Sequence, residues 1–272
     1  MRLPEIRESE APPQIAALYD DIRTVMGVPF VNLIHRYLAT IPGALESAWE
    51  IGRPAFVEGR LDRWAEEIAA RAELDSLASE AFSSKLGKES RERCAALVDV
   101  YNRQNPRNVI VFTAFRALLE GDGEPFDGPP SRLPPPAHPP PRAEIAPLPR
   151  VDDLDPQTRT LLEDLRREQG LSETVVVPSL YLHLATVPGG VEAAHAALEA
   201  PLRSGRVGTA AARVVAFVPH YAKALLEAPP HRLPRGVYER RTEIAANVGD
   251  FTERGIPSMV VAGRILARAF SR

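Results

Sequence analysis

Apolar residues recur every three to four positions over most of the chain, as in Ile15, Leu18, Ile22 and Val25, and again in Leu61, Trp64 and Ile68. That spacing gathers them on one face of a helix and leaves the polar positions between them to solvent. Besides these two stretches, the pattern predicts helices over 28–39, 42–58, 88–103 and 107–120. In the second half it predicts them over 155–169, 177–186, 188–204, 206–226, 236–248 and 255–270. Prolines 42, 106, 188 and 257 fall where a first helical turn tolerates them. Short β-branched runs at 109–111 and 174–177 lack alternation and Asn-Gly turns, so no sheet is expected. The fold class predicted is all-α.

Proline interrupts the pattern once, near the midpoint. Eleven of the 27 prolines lie in EPFDGPPSRLPPPAHPPPRAEIAPLPR, residues 124–150. Runs of three prolines at 134–136 and 139–141 permit neither helix nor ladder hydrogen bonds, so the segment reads as an extended crossover. The other prolines read mostly as helix starts. The sequences on either side resemble each other: PQIAALYDDIRTVMGVPFVNLIHRYLATIPGALESAW from Pro13, and PQTRTLLEDLRREQGLSETVVVPSLYLHLATVPGGVEAAH from Pro156. The Pro-Gln pairs are offset by 143 positions and the LATxPG elements by 146, which three inserted residues around 172–174 explain. NPRNVIVFTAFRALL and IPSMVVAGRILARAF correspond more weakly. The reading is a tandem duplication: a helical repeat at 1–123, a crossover at 124–150 and a second repeat at 151–272.

Composition narrows the partners. With 33 Lys and Arg against 36 Asp and Glu the net charge is -3, which argues against nucleic acid or an acidic membrane surface. No apolar stretch approaches the roughly 20 residues that span a bilayer, and residues 1–10 lack a secretory pattern, so a soluble, cytoplasmic protein is expected. Cys94, the single cysteine, excludes an internal disulfide and a CxxC pair. None of the six histidines has another three or four residues away, so no metal site and no cofactor are expected.

Candidate chemistry rests on positions where the halves differ. Aligning the LATxPG elements sets Asn32 opposite Pro178, Leu33 opposite Ser179, His35 opposite Tyr181 and Tyr37 opposite His183. Asn32 with His35, and Ser179 with His183, share helical faces. Those faces either line a cavity between the halves or, in the plainer alternative, Asn32 and Ser179 cap helix starts. In VYNRQNPRN, residues 100–108, Asn105-Pro106 reads as a cap and first turn; alternatively Asn105 is a buried amide that holds a water or a carboxylate.

The segments VPFVNLIHRYLATIPGALESAW, VPSLYLHLATVPGGVEAA and YNRQNPRN, with the Pro-rich crossover, resemble the group I 2-haloacid dehalogenases, the halocarboxylic acid dehydrogenase family acting on D- and L-2-haloacids. The resemblance covers nearly the whole chain. It implies two all-α tandem repeats forming a pseudo-dimer, related to the alkylhydroperoxidase-like bundles, with an active site between them. It also implies hydrolysis of a small 2-halocarboxylic acid by a water that an aspartate activates, with inversion at C2 and no covalent ester. By position, Asn105 matches the family's active-site asparagine. Phe30, Asn32 and His35 fall in the pocket-lining segment with Tyr181 and His183 opposite, and Ser179 precedes the aspartate position. Leu180 stands where that aspartate is expected, which marks a divergent member, and Glu173 is the nearest carboxylate in sequence. Three readings follow: Glu173 is the base; His183 or His35 serves a related activity; or the chain is a non-catalytic pocket protein that binds a small organic acid or apolar ligand. The implied partner is a small carboxylic acid, and beyond it only a homodimer.

Overall fold

Both LATxPG segments turn the backbone in the same way. Gly43 and Gly189 adopt left-handed φ values of 85° and 75°, a conformation that is strained for any residue with a Cβ. Each closes a six-residue helix and opens a 14-residue one: Leu33–Leu38 (α2) leads to Ala44–Val57 (α3), and Ser179–Leu184 (α7) leads to Gly190–Arg203 (α8). The computed structural model describes residues 3–74, 86–121, 125–127, 145–171, 177–227 and 231–271. The remaining described helices are Pro13–Met26 (α1), Arg60–Arg71 (α4), Lys88–Glu120 (α5), Pro156–Glu168 (α6), Arg206–Leu226 (α9), Arg235–Glu239 (α10), Arg241–Asp250 (α11) and Ile256–Phe270 (α12). The molecule is all-α. Among the described residues the strands are two-residue pieces, Pro125–Phe126 (β1) and Leu233–Pro234 (β2), paired in parallel as Pro125 with Leu233 and Phe126 with Pro234.

The long helix α5 corrects the expectation of two helices over 88–103 and 107–120. It runs through Pro106 without a break, so Asn105 is not a cap and Pro106 is not a first-turn residue. A proline inside a helix removes one hydrogen bond and costs about 3 kcal/mol, which tertiary burial must offset. Here Gln104, Asn105, Pro106, Asn108 and every residue from 108 to 112 are buried. The helix packs against α12, α9, α11, α3 and α4 on different sides. Pro54, Pro201 and Pro219 also lie inside helices, whereas Pro13, Pro156 and Pro257 occupy first turns.

Other boundaries shift for local reasons. Helix 28–39 shrinks to α2 because residues 28–32 are extended or turned, and 177–186 shrinks to α7 behind Pro178. Helix 236–248 divides at Arg240, whose φ of -101° and ψ of 7° separate α10 from α11. A π-turn over Phe251–Gly255 then joins α11 to α12.

One apolar core runs through both halves and holds aromatic and aliphatic side chains from α1 to α12. Polar bonds also join the halves: Asn247 Nδ2 on α11 donates to Tyr37 Oη on α2 over 2.7 Å, and Tyr101 on α5 meets His183 on α7. The N-terminal arm is pinned beside α2. Ile6 N donates to the Arg36 carbonyl (3.0 Å), Tyr19 Oη to the Ile6 carbonyl (2.9 Å), and Val31 N to Glu8 Oε1 (2.8 Å).

Candidate functional site

The turn before each LATxPG element delivers polar groups to the same place. Pro178 holds an extended residue before α7, so Ser179 is the first helical residue and makes no capping bond. Asn32 sits at the N-cap of α2 with extended φ and ψ of -66° and 156°, yet its side chain makes no capping bond either. Both instead line a small apolar cavity of about 80 Å³ together with Tyr101 and Asn105 from α5. Leu33, Ile34 and Leu180 on one side and Phe251, Ile256 and Met259 on the other form its apolar walls. Among the described residues that line it, none carries a charged side chain. The smaller cavity therefore suits a compact molecule with an apolar substituent, held by amide N–H and hydroxyl groups.

A larger cavity of about 360 Å³ adjoins it and shares Leu33, Val177 and Ser179. Its lining carries charge from Glu5, Arg7 and Glu8 of the N-terminal arm and Arg36 of α2, and it includes His183. Arg36 Nε donates to Glu5 Oε2 over 2.8 Å. The end of the crossover, residues 145–149, forms another wall, so this part of the proline-rich segment covers the site as well as connecting the halves.

Between the cavities lies a buried contact. Tyr101 Oη and His183 Nδ1 are 2.6 Å apart. Phe30, which lines the larger cavity, lies 5.2 Å from the Tyr101 ring and 4.8 Å from the His183 ring, and shields the pair with its apolar face. Burial lowers His183 to about 4, helped by the Arg36 charge and opposed by a hydrogen bond to the backbone of Ala146. Burial pushes the Tyr101 hydroxyl well up, against the influence of Arg36 and a hydrogen bond from Ser179. Both groups are thus neutral near neutral pH.

The sequence-derived candidates separate on this geometry. Asn32, Asn105, Ser179 and Leu180 meet in the smaller cavity, while Phe30 and His183 meet in the larger one. His35 lies elsewhere: it is buried with its ring 5.0 Å from Phe112 in an edge contact, and burial lowers it to about 3. Tyr181 is also buried away from both cavities, where its hydroxyl accepts a 2.7 Å bond from Gln169 Nε2. Glu173 lies outside the described residues, as do 134–136 and 139–141. Sequence reasoning did not single out the N-terminal arm, residues 145–149, or the role of Tyr101. The only signal for Tyr101 was its place in VYNRQNPRN, because its partner lies 82 positions away. Among the described residues, no three His, Cys, Asp or Glu side chains are grouped to hold a metal ion, and no helix is long and apolar enough to cross a membrane.

The all-α fold thus encloses a small apolar cavity furnished by two asparagines, a serine and a tyrosine. No family model matches the chain. A configuration-inverting 2-haloacid dehalogenase from Alcaligenes xylosoxydans xylosoxydans is 24% identical over 122 residues, 43% of this chain. That match spans 41% of the relative's own length. Among solved structures, a D-2-haloacid dehalogenase mutant with D-2-CPA superposes with a TM-score of 0.66 at 19% identity, covering 98% of this chain and 94% of that one. A D-2-haloacid dehalogenase with L-LA gives 0.65 at 19% identity over the same shares. The chain has the fold of the D-2-haloacid dehalogenases and shares sequence homology with a 2-haloacid dehalogenase.

Proposed function

We propose that the chain is a 2-haloacid dehalogenase-like hydrolase that holds a small 2-halocarboxylic acid in the smaller cavity. Water attacks C2, the carbon–halogen bond breaks, and the halide leaves with its electron pair while the water loses a proton to a base. The product is a 2-hydroxy acid with C2 inverted. The observation that carries this reading is the convergence of Asn105 and Ser179, from separate halves, in one cavity of a fold matched over nearly the whole chain. In it, Asn105 and Asn32 orient the water and the substrate carboxylate, and the apolar wall of Leu180, Ile256 and Met259 receives the halide side. The tandem duplication, with the pocket between its copies, is part of the proposal. Six left-handed glycines support it, falling in pairs 143, 146 and 146 positions apart: Gly27 with Gly170, Gly43 with Gly189, and Gly59 with Gly205.

Leu180 favours a second reading. It is buried in the cavity wall where the resemblance puts an aspartate, and a leucine accepts no proton. On that reading the chain binds a small organic acid without hydrolysing it. The discriminating measurement is halide release from D- and L-2-chloropropionate, paired with calorimetric binding of propionate. The hydrolase reading expects release from at least one enantiomer and a loss of about 10²-fold in Asn105→Ala. Binding without release from either enantiomer leaves the non-catalytic reading standing.

A further inference from the structure

Hydrolysis needs an acceptor for one proton, and Leu180 supplies none. We propose that Ser179, Tyr101 and His183 form a proton relay that acts as the general base, with Ser179 facing the attacking water and His183 as the terminal acceptor. This inference rests on the hydrolase reading.

The three side chains form a path from the smaller cavity to the wall of the larger one. Ser179 lines both cavities and shares the smaller one with Tyr101, whose hydroxyl it influences as a hydrogen-bonding neighbour. Tyr101 Oη lies 2.6 Å from His183 Nδ1. The backbone of Ala146 engages the imidazole as an acceptor, and with Nδ1 turned to Tyr101 the nitrogen left for it is Nε2. The relay requires the tautomer with the proton on Nε2 and a free lone pair on Nδ1. In that tautomer Tyr101 donates to His183, and its oxygen is free to accept from Ser179. Every hydrogen bond points away from the cavity, the direction in which a proton leaving water must travel.

The step balances without any added reactant. As the water oxygen bonds to C2 and the carbon–halogen bond breaks, a water proton passes to Ser179 Oγ. The Ser179 proton passes to Tyr101 Oη and the Tyr101 proton to His183 Nδ1, leaving an imidazolium. Release of the 2-hydroxy acid and the halide lets that proton return to solvent. Burial tunes the acceptor: at about 4, His183 has the basicity of an ordinary aspartate, about 3.9. The groups facing it are Tyr101 from α5, Phe30, Arg36 from α2, and Arg7, Glu5 and Glu8 from the arm, with Arg36 bonded to Glu5.

The test compares wild type with Tyr101→Phe, His183→Gln and Glu173→Gln, reading halide release, propionate binding and the nitrogen NMR of His183. The relay expects kcat to fall about 10²- to 10⁴-fold in the first two variants with propionate binding retained, and Glu173→Gln to stay near wild type. It also expects kcat/KM to decline below about pH 4, where His183 becomes protonated. Wild-type kcat in Tyr101→Phe, or a loss in Glu173→Gln that Tyr101→Phe does not share, overturns the relay and leaves the hydrolase reading intact. An imidazolium or an Nδ1-protonated ring at neutral pH in the wild type overturns it without reference to any variant. A wild type that releases no halide overturns both readings.

Discussion

Leu180 and an aspartate at its position share a γ-branched shape, and they differ in whether a proton can be left there. Because Leu180 is 1% exposed and faces the cavity, a carboxyl group at this site would stand among apolar neighbours and titrate above the usual carboxylate range. Leu180→Asp in a Tyr101→Phe background is expected to restore halide release by about 10²- to 10⁴-fold, the worth of a general base. The same change is expected to lower the melting temperature, since a polar group then replaces an apolar contact. The candidates at residue scale were readable where the chemistry is local to one turn, as for Asn32, Asn105 and Ser179. Whether an asparagine caps a helix or faces a cavity is decided by its side-chain rotamer and its neighbours, which sequence spacing does not encode.

Helices were legible as elements because burial on one face imposes a period of about 3.6 residues. Their ends were less so, and Pro106 is the clearest case. A proline reads as a boundary, yet the surroundings of α5 bury it all round and keep the helix whole. Where α5 meets α12, Gly263 leaves room for Asn102, whose Nδ2 donates to the Gly263 carbonyl over 3.0 Å. A Cβ at position 263 would stand 2.1 Å from Asn102 Oδ1. Gly263→Ala must push the helices apart one turn before Asn105. It is expected to cost about 1 to 3 kcal/mol in denaturant unfolding and to weaken propionate binding as Asn105 shifts.

For the whole molecule, the buried histidines couple stability to acidity. His35 and His183 fall to about 3 and about 4 in the folded state, below their usual 6.5, so the unfolded chain binds the extra protons. Stability is complete above about pH 6.5 and falls as the pH drops through the window to about 4 and below, by a few kcal/mol per histidine on the order of 1.4 per pKa unit. Urea midpoints measured between pH 7 and 4 are expected to decline, and His35→Leu to flatten part of the decline. The proposed two-part organisation was suggested by the sequence because proline composition and repeated LATxPG text are one-dimensional signals. How the parts face each other was not, because it depends on contacts between positions far apart.

Two such contacts have a consequence for the chain's connectivity. Tyr37 and His183 lie 146 positions apart, as do their partners Asn247 and Tyr101, and each short helix is clasped by the long helical stretch of the other half. Neither half can satisfy its own polar anchor, so each half completes the other. Severing the polypeptide between 128 and 144 is expected to leave those clasps in place and to lower the effective concentration of one half at the other. Fragments 1–127 and 145–272, produced together, are expected to co-purify as an obligate heterodimer, whereas either one produced alone is expected to aggregate. Size-exclusion chromatography of the mixture against each fragment would settle the matter.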